Sequence, residues 1–332
     1  MEVLVALGDW APAERAAGQI ADATGVTTER ARAEVAALLE SGLLVSDRDQ
    51  VQRDIASGVA LWSKYGWRDA FGYHALSDAV ERVDYSDQSG QRLDVEMMYQ
   101  YRSAEEAPPV YMPNRDLETH PLPAPAKELG TELGVIFEGA SKMQGGDSRL
   151  SLDQLSTILW FGFGQVGKKK LPVSGEHIIK ASPSGGSRHP TEAYVLILQS
   201  GAIPVGMYHY SVQAHALEAI TSNVDQDWVD SCVLGKPEWM GFNPSVVVLL
   251  SSRVEVNMFR YRDNYSYRPV HHDVGHVMET AALTAQAVGC RSFRGYSLHE
   301  KAVSGRLGND RIMNPLLAFL LLAGREVDAI QA

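Results

Sequence analysis

The chain has 332 residues, 45% of them hydrophobic and 8% aromatic, which suits one large globular domain or two ordinary ones. A formal net charge of −11 argues against a general nucleic-acid binder, whose phosphate contacts need an excess of Lys and Arg, and against docking on anionic membranes. Two cysteines, Cys232 and Cys290, are too few for a disulfide framework, the N-terminus lacks the pattern of a signal peptide, and the run "PLLAFLLLAG" is too short to cross a bilayer, so a soluble cytoplasmic protein is expected.

Residues 1–50 read as a small winged-helix-like domain. Ala16, Ile20 and Ala23 share a face before a turn at Thr24-Gly25. Thr28 is the expected N-cap of a second helix, along which Val35, Leu38 and Leu39 continue a 3.6-residue stripe. "ESGLLVSD", with Gly42, would form the wing. The second helix sets Arg30 and Arg32 against Glu29, Glu34 and Glu40, too balanced for a DNA-reading helix, so protein or peptide docking is the better expectation. Residues 51–127 form an aromatic- and proline-rich connection. "LWSKYGWRDAFGYHAL" should pack on something, and the proline-dense "SAEEAPPVYMPNRDLETHPLPAPAKE" cannot be a regular helix or a central strand.

From 128 to 332 the pattern is regular. "SLDQLSTILWFGFGQVG" opens with a Ser151/Gln154 capping box and buries Leu155, Ile158 and Leu159. The basic run Lys168-Lys169-Lys170 reads as a solvated loop, or a patch for an acidic partner. "EAYVLIL", "SVVVLLSS" and "NPLLAFLLLAG" read as strands buried on both faces. "HDVGHVMETAALTAQAVG" reads as a helix with Val274, Val277, Met278, Ala281, Ala285 and Val288 inward and Gly289 as its stop. Helices alternating with buried strands imply a sandwiched sheet. His272 and His276, four apart on that helix, have a spacing that can bind metal, but no third ligand is evident. Cys290 reads as a buried structural thiol.

The stretch "SPSGGSRHPTEAYVLIL", residues 182–198, carries the chemistry. Gly185 and Gly186 allow positive φ and close approach of another molecule, consecutive N–H groups there can form an anion-binding concavity, and Arg188 adds a permanently charged fork. A decorated surface turn is the alternative.

Together with "GMYHYSVQAHALEAI" and "YRPVHHDVGHVMETAALTAQAVG", this block resembles, in order and spacing, the SagB-type dehydrogenases. These are FMN-dependent members of the nitroreductase fold from pathways that modify ribosomally made peptides. The resemblance covers roughly residues 130–325. It implies an α+β fold: a nitroreductase-like α/β sandwich preceded by the winged-helix-like domain. By position, it also implies that Pro183, Ser184, Gly185, Gly186 and Arg188 contact FMN, that Pro190 and Glu192 fix the turn, and that Phe293, Arg294 and Gly295 run under the ring. Two places depart from the family pattern. The Arg-Arg-Ser phosphate motif is replaced by "FEGASKMQGG", leaving Ser141 and Lys142, with Arg325 as a second charge. The family's catalytic Lys-Tyr pair is replaced by Arg260-Tyr261, and because arginine stays protonated, Tyr261 is the group left to move a proton while Arg260 orients the peptide or stabilises developing negative charge. The implied reaction is oxidation of thiazoline or oxazoline rings in a precursor peptide to thiazole or oxazole. The implied partners are a heterocycle-forming enzyme and a second copy of the chain, the dimer using the Leu155–Leu159 and Val274–Val288 faces. A flavin-dependent reductase of dehydroamino acids and a non-catalytic scaffold subunit are the alternatives.

Overall fold

The computed structural model describes residues 11–40, 44, 50–78, 80, 83–84, 86–113, 116–129, 131–139, 149–199, 201–234 and 243–324. The chain divides into two units, Met1–Val80 and Glu81–Ala332.

In the first unit, α1 (Ala13–Thr24) and α2 (Thr28–Glu40) close Ala16, Ala17 and Ile20 on Ala31 and Val35. Two details differ from the sequence reading. Thr27, not Thr28, caps α2, its Oγ1 accepting the Arg30 N–H at 3.3 Å, and Ala23 faces solvent. The expected wing falls almost wholly outside the described residues. In α3 (Gln50–Lys64) and α4 (Arg68–Asp78) the aromatic segment packs on itself: Trp62 meets Trp67, Phe71 and His74 at ring-centroid distances of 6.0, 5.5 and 5.4 Å.

The second unit begins with α5 (Gln88–Ala104), β1 (Thr119–Pro121), α6 (Leu133–Gly139) and α7 (Leu152–Phe163). A hairpin of β2 (Gly167–Leu171) and β3 (Gly175–Ile179) follows, then β4 (Thr191–Ile197), β5 (Gly206–Ser211), β6 (Ala216–Thr221) and α8 (Gln226–Cys232). The chain continues through β7 (Val246–Ser252), α9 (Val254–Met258), α10 (Tyr267–Ala287), β8 (Arg291–Gly295), α11 (Glu300–Leu307) and β9 (Leu316–Ala323). Seven strands form one antiparallel sheet in the order β1-β6-β5-β4-β7-β9-β8. The three apolar runs become its central strands, and Pro121, which cannot donate to a ladder, sits in the edge strand β1. The lysine run is exposed, but it is strand β2, paired with β3, and not a loop.

The sheet is sandwiched, as the alternating pattern implies. Helices α7 and α10 cover one face and α8 and α11 the other. The capping box opens α7: Ser151 Oγ accepts the Gln154 N–H at 3.1 Å, and Gln154 Oε1 accepts the Ser151 N–H at 2.9 Å. Leu155, Ile158, Leu159, Val274 and Val277 are at most 4% exposed, because they fill the core between these helices and the sheet. The apolar faces expected to form a dimer surface are therefore consumed inside the chain. Cys290 lies in the same core, where burial pushes its thiol up to about 12. Among the described residues no helix is long and apolar enough to cross a membrane.

A buried ionic cluster crosses three strands. His209 on β5 lies 3.2 Å from Glu192 on β4 and 2.9 Å from Glu218 on β6, and Arg253 approaches Glu192 at 3.7 Å. Burial alone would lower the His209 pKa, but the two carboxylates overcome it and raise the value to about 9. A raised histidine contributes stability that is fully present below its ordinary value of 6.5 and is lost as pH rises through 9. Thermal melting is expected to show a falling midpoint between pH 6.5 and pH 9, and His209→Gln should flatten that slope. An unchanged slope in the variant would assign the pH dependence to other groups.

Candidate active site

The turn between β3 and β4 departs from ordinary backbone geometry. Gly186, Ser187 and His189 all have positive φ, at 60°, 56° and 51°. Two of these are not glycine, and each such residue costs on the order of 1 kcal/mol, so the conformation persists only where surrounding contacts hold it. A buried carboxylate on α10 does so. Asp273 Oδ2 accepts from Ser184 Oγ at 2.6 Å and Oδ1 accepts the Gly185 N–H at 3.0 Å. Ser184 Oγ in turn accepts the His189 N–H at 2.8 Å, and Ser182 Oγ donates to Thr280 at 2.8 Å. Burial raises the Asp273 pKa, opposed by its bonds to Ser184 and Gly185. Asp273→Ala leaves both donors without their acceptor and is expected to cost roughly 2–4 kcal/mol in urea unfolding, with Asp273→Asn recovering part of it. A variant within about 0.5 kcal/mol of the parent would show that the turn holds itself.

Tyr261, one turn beyond α9, reaches this turn. A Cβ built on Gly186 would overlap the Tyr261 hydroxyl, and one on Gly185 would lie 3.3 Å from Pro269. Both glycines are thus close-approach positions. The Arg260 guanidinium lies 4.9 Å from the Tyr261 ring centroid and is ion-paired with Asp94 of α5. Beside it opens a pocket of about 190 Å³, lined among others by Tyr101, Arg102, His177, Arg188, Phe259 and Arg260. Arg188 Nη2 lies 3.4 Å from His177 Nε2, and its Nε is buried without a hydrogen-bond partner. Burial and then Arg260 push the Arg188 pKa down. Burial and then Arg188 likewise lower His177, while burial, Lys180 and Lys169 take His189 to about 3, so both imidazoles are neutral at neutral pH. Lys180 is buried behind the turn, its Nζ donating to the Thr191 carbonyl at 3.4 Å, and burial lowers its pKa.

The structure therefore brings together Pro183, Ser184, Gly185, Gly186, Arg188, Arg260 and Tyr261. Phe293, Arg294 and Gly295 lie instead on the edge strand β8, with β7 and β9 between it and β4. Phe293 packs on Phe319 at 6.2 Å, Arg294 pairs with Glu279 of α10 at 2.6 Å, and a Cβ on Gly295 would overlap the Phe319 ring. Ser141, Lys142 and Arg325 lie outside the described residues. Pro190 and Glu192 do anchor the turn: the Pro190 carbonyl accepts the Arg253 N–H at 2.9 Å and Glu192 joins the buried cluster. His272 and His276 are exposed on α10, and among the described residues no group of three candidate ligands could hold a metal ion. Sequence reasoning passed over Asp273, Asp94 and His177. Asp273 lies inside "HHDVGH", and nothing local in that run marks it as the residue that holds Ser184 and Gly185.

With this geometry in view, the comparisons with known proteins decide the family. The nitroreductase family matches residues 146–316, just over half of the chain. The chain belongs to the nitroreductase family. It is 30% identical over 268 residues to the trifolitoxin-processing protein TfxB of Rhizobium leguminosarum bv. trifolii, covering 77% of this chain and 70% of that one. To the trifolitoxin operon protein TfxC of the same organism it is 27% identical, covering 76% and 70%. A crystal structure of an Anabaena variabilis protein named for nitroreductases shares the fold at a TM-score of 0.51 and 15% identity, covering 69% of this chain and 46% of that one. The strained turn, α10 and the Arg260-Tyr261 corner form the candidate active site, within the residues the family matches.

Proposed function

We propose that the chain is an FMN-dependent oxidoreductase of a ribosomal peptide pathway, of the SagB type, that oxidises thiazoline or oxazoline rings to thiazole or oxazole. The observation that carries this reading is the left-handed backbone at Gly186, with a tyrosine hydroxyl against it and a second glycine, Gly185, before it. Similarity to a protein named for trifolitoxin processing supports a peptide as substrate.

The residues suit a flat, hydrogen-bonding cofactor. Pro183 and Gly186 are exposed, the Tyr261 hydroxyl fills the space a Gly186 Cβ would take, and His189 Nδ1 is a buried polar atom without a partner. Pro183, Ser184, Gly185 and Gly186 would hold the FMN ring, and Ser141, Lys142 and Arg325 its phosphate. When bound, FMN supplies a two-electron acceptor for a hydride. The chain's own contribution is to position the peptide ring and to move its proton. Aromatising an azoline removes a proton from Cα and a hydride from Cβ as the new double bond forms. Tyr261 Oη would take the Cα proton while passing its own to water, and Asp273, through Ser184 and Gly185, would keep the turn rigid beside it. Arg260, held by Asp94, fixes the Tyr261 ring through its face contact.

An azoline-bearing peptide incubated with the flavin-loaded protein should lose two hydrogens per ring by mass spectrometry. Gain of two hydrogens by a dehydroamino-acid peptide would support the reductase instead, and no change in either would leave the chain a scaffold for a heterocycle-forming partner.

A further inference from the structure

The pocket beside the turn has a charge balance that the peptide reading does not use. Three arginines line it, Arg102, Arg188 and Arg260. Arg260 is neutralised by Asp94, and Glu176, the acid among the lining residues, is taken by Lys168 at 2.8 Å. No carboxylate among the described residues lies within ion-pair distance of Arg102 or Arg188. The Arg102 Nη1 donates to the Val173 carbonyl at 3.0 Å, which fixes its head without neutralising it. Arg188 is held between the neutral His177 and the Arg260 corner with Nε buried and unpartnered. A guanidinium with its Nε buried and no anion beside it is costly, and its planar fork matches a carboxylate. Lys169, opposite His177 in the β2–β3 ladder, adds a fourth positive charge nearby. Tyr101 and Phe259 give the same pocket apolar walls.

We infer that this pocket binds a carboxylate of the peptide substrate, with Arg188 as the fork that receives it and Arg102 at the rim. The inference rests on the peptide reading above and assigns Arg188 to substrate recognition in place of the flavin contact that its sequence position implies. The carboxylate comes from an Asp or Glu side chain near the reacting ring or from the peptide C-terminus.

Isothermal titration of the protein as purified, with three short acetylated peptides, tests this. One ends in a free carboxylate, one is the same peptide amidated, and one is amidated but carries an internal Asp. At least one acidic peptide should bind ten-fold or more tightly than the neutral amide, and whichever does names the source. Arg188→Gln should erase that preference while flavin content stays unchanged, and Arg188→Lys should restore part of it. Equal binding of acidic and neutral peptides by the parent protein would overturn the inference without needing any variant. So would loss of flavin from Arg188→Gln with the acidic preference intact, since Arg188 would then belong to the cofactor. A protein that carries no flavin yet keeps the ten-fold preference would refute the oxidoreductase reading while leaving the carboxylate site standing.

Discussion

Tyr261→Phe is expected to keep the fold and the bound flavin while lowering turnover by about two to four powers of ten, the usual contribution of a placed proton-transfer group. The substitution keeps the ring, and therefore its contact with Arg260 at 4.9 Å, and removes only the hydroxyl that lies against Gly186. Azoline oxidation cannot proceed without a route for the Cα proton. The other side chains at this corner serve less well: Arg260 and Arg188 stay protonated, and His189 faces its own turn with a single long contact to Ser187. Steady-state rates on an azoline peptide, with flavin absorbance recorded on the same sample, separate the cases. Full activity would mean that the proton leaves by another route. Loss of flavin would mean that the tyrosine is structural.

Gly186→Ala should reach nearly the same low turnover by a different path. Alanine at φ 60° costs roughly 1–2 kcal/mol, and its Cβ would overlap the Tyr261 hydroxyl. The ring is only half-buried, so it can swing aside: the protein stays folded and the hydroxyl is displaced. The two changes then remove one function, and the double variant Gly186→Ala/Tyr261→Phe should be no slower than the slower single one. A double variant whose loss is the product of the two single losses would show that Gly186 and Tyr261 act independently.

These two residues also show what was legible in the sequence. The turn announces itself because Pro, Gly and Ser are dense just ahead of a fully apolar strand, and backbone that must leave ordinary φ/ψ space needs such residues. The capping box of α7 and the buried strands β4, β7 and β9 follow from local rules in the same way. The strand order does not, because β4 pairs with both β5 and β7 through contacts that no local pattern encodes. Helix α5 was hidden for a different reason. Its sequence, QSGQRLDVEMMYQYRSA, is mostly polar and leaves Leu93, Val95 and Tyr99 exposed, so no run of apolar residues marks it, yet it brings Asp94, Tyr101 and Arg102 to the site. The left-handed φ at Ser187 and His189 was equally invisible, since neither residue advertises it. Asp273 reads as one more polar residue on a helix until the fold buries it under Ser184 and Gly185.

The central claim is that the turn at 183–186 cradles FMN. The measurement that tests it most directly is the absorbance spectrum of the protein as purified, followed by heat release and chromatography of whatever is bound. The account predicts a flavin spectrum, a released species that co-elutes with FMN, and a content near one per chain that falls sharply in Asp273→Ala, where the turn loses its anchor. A colourless protein that takes up no FMN when it is supplied, or one that releases FAD, would contradict it.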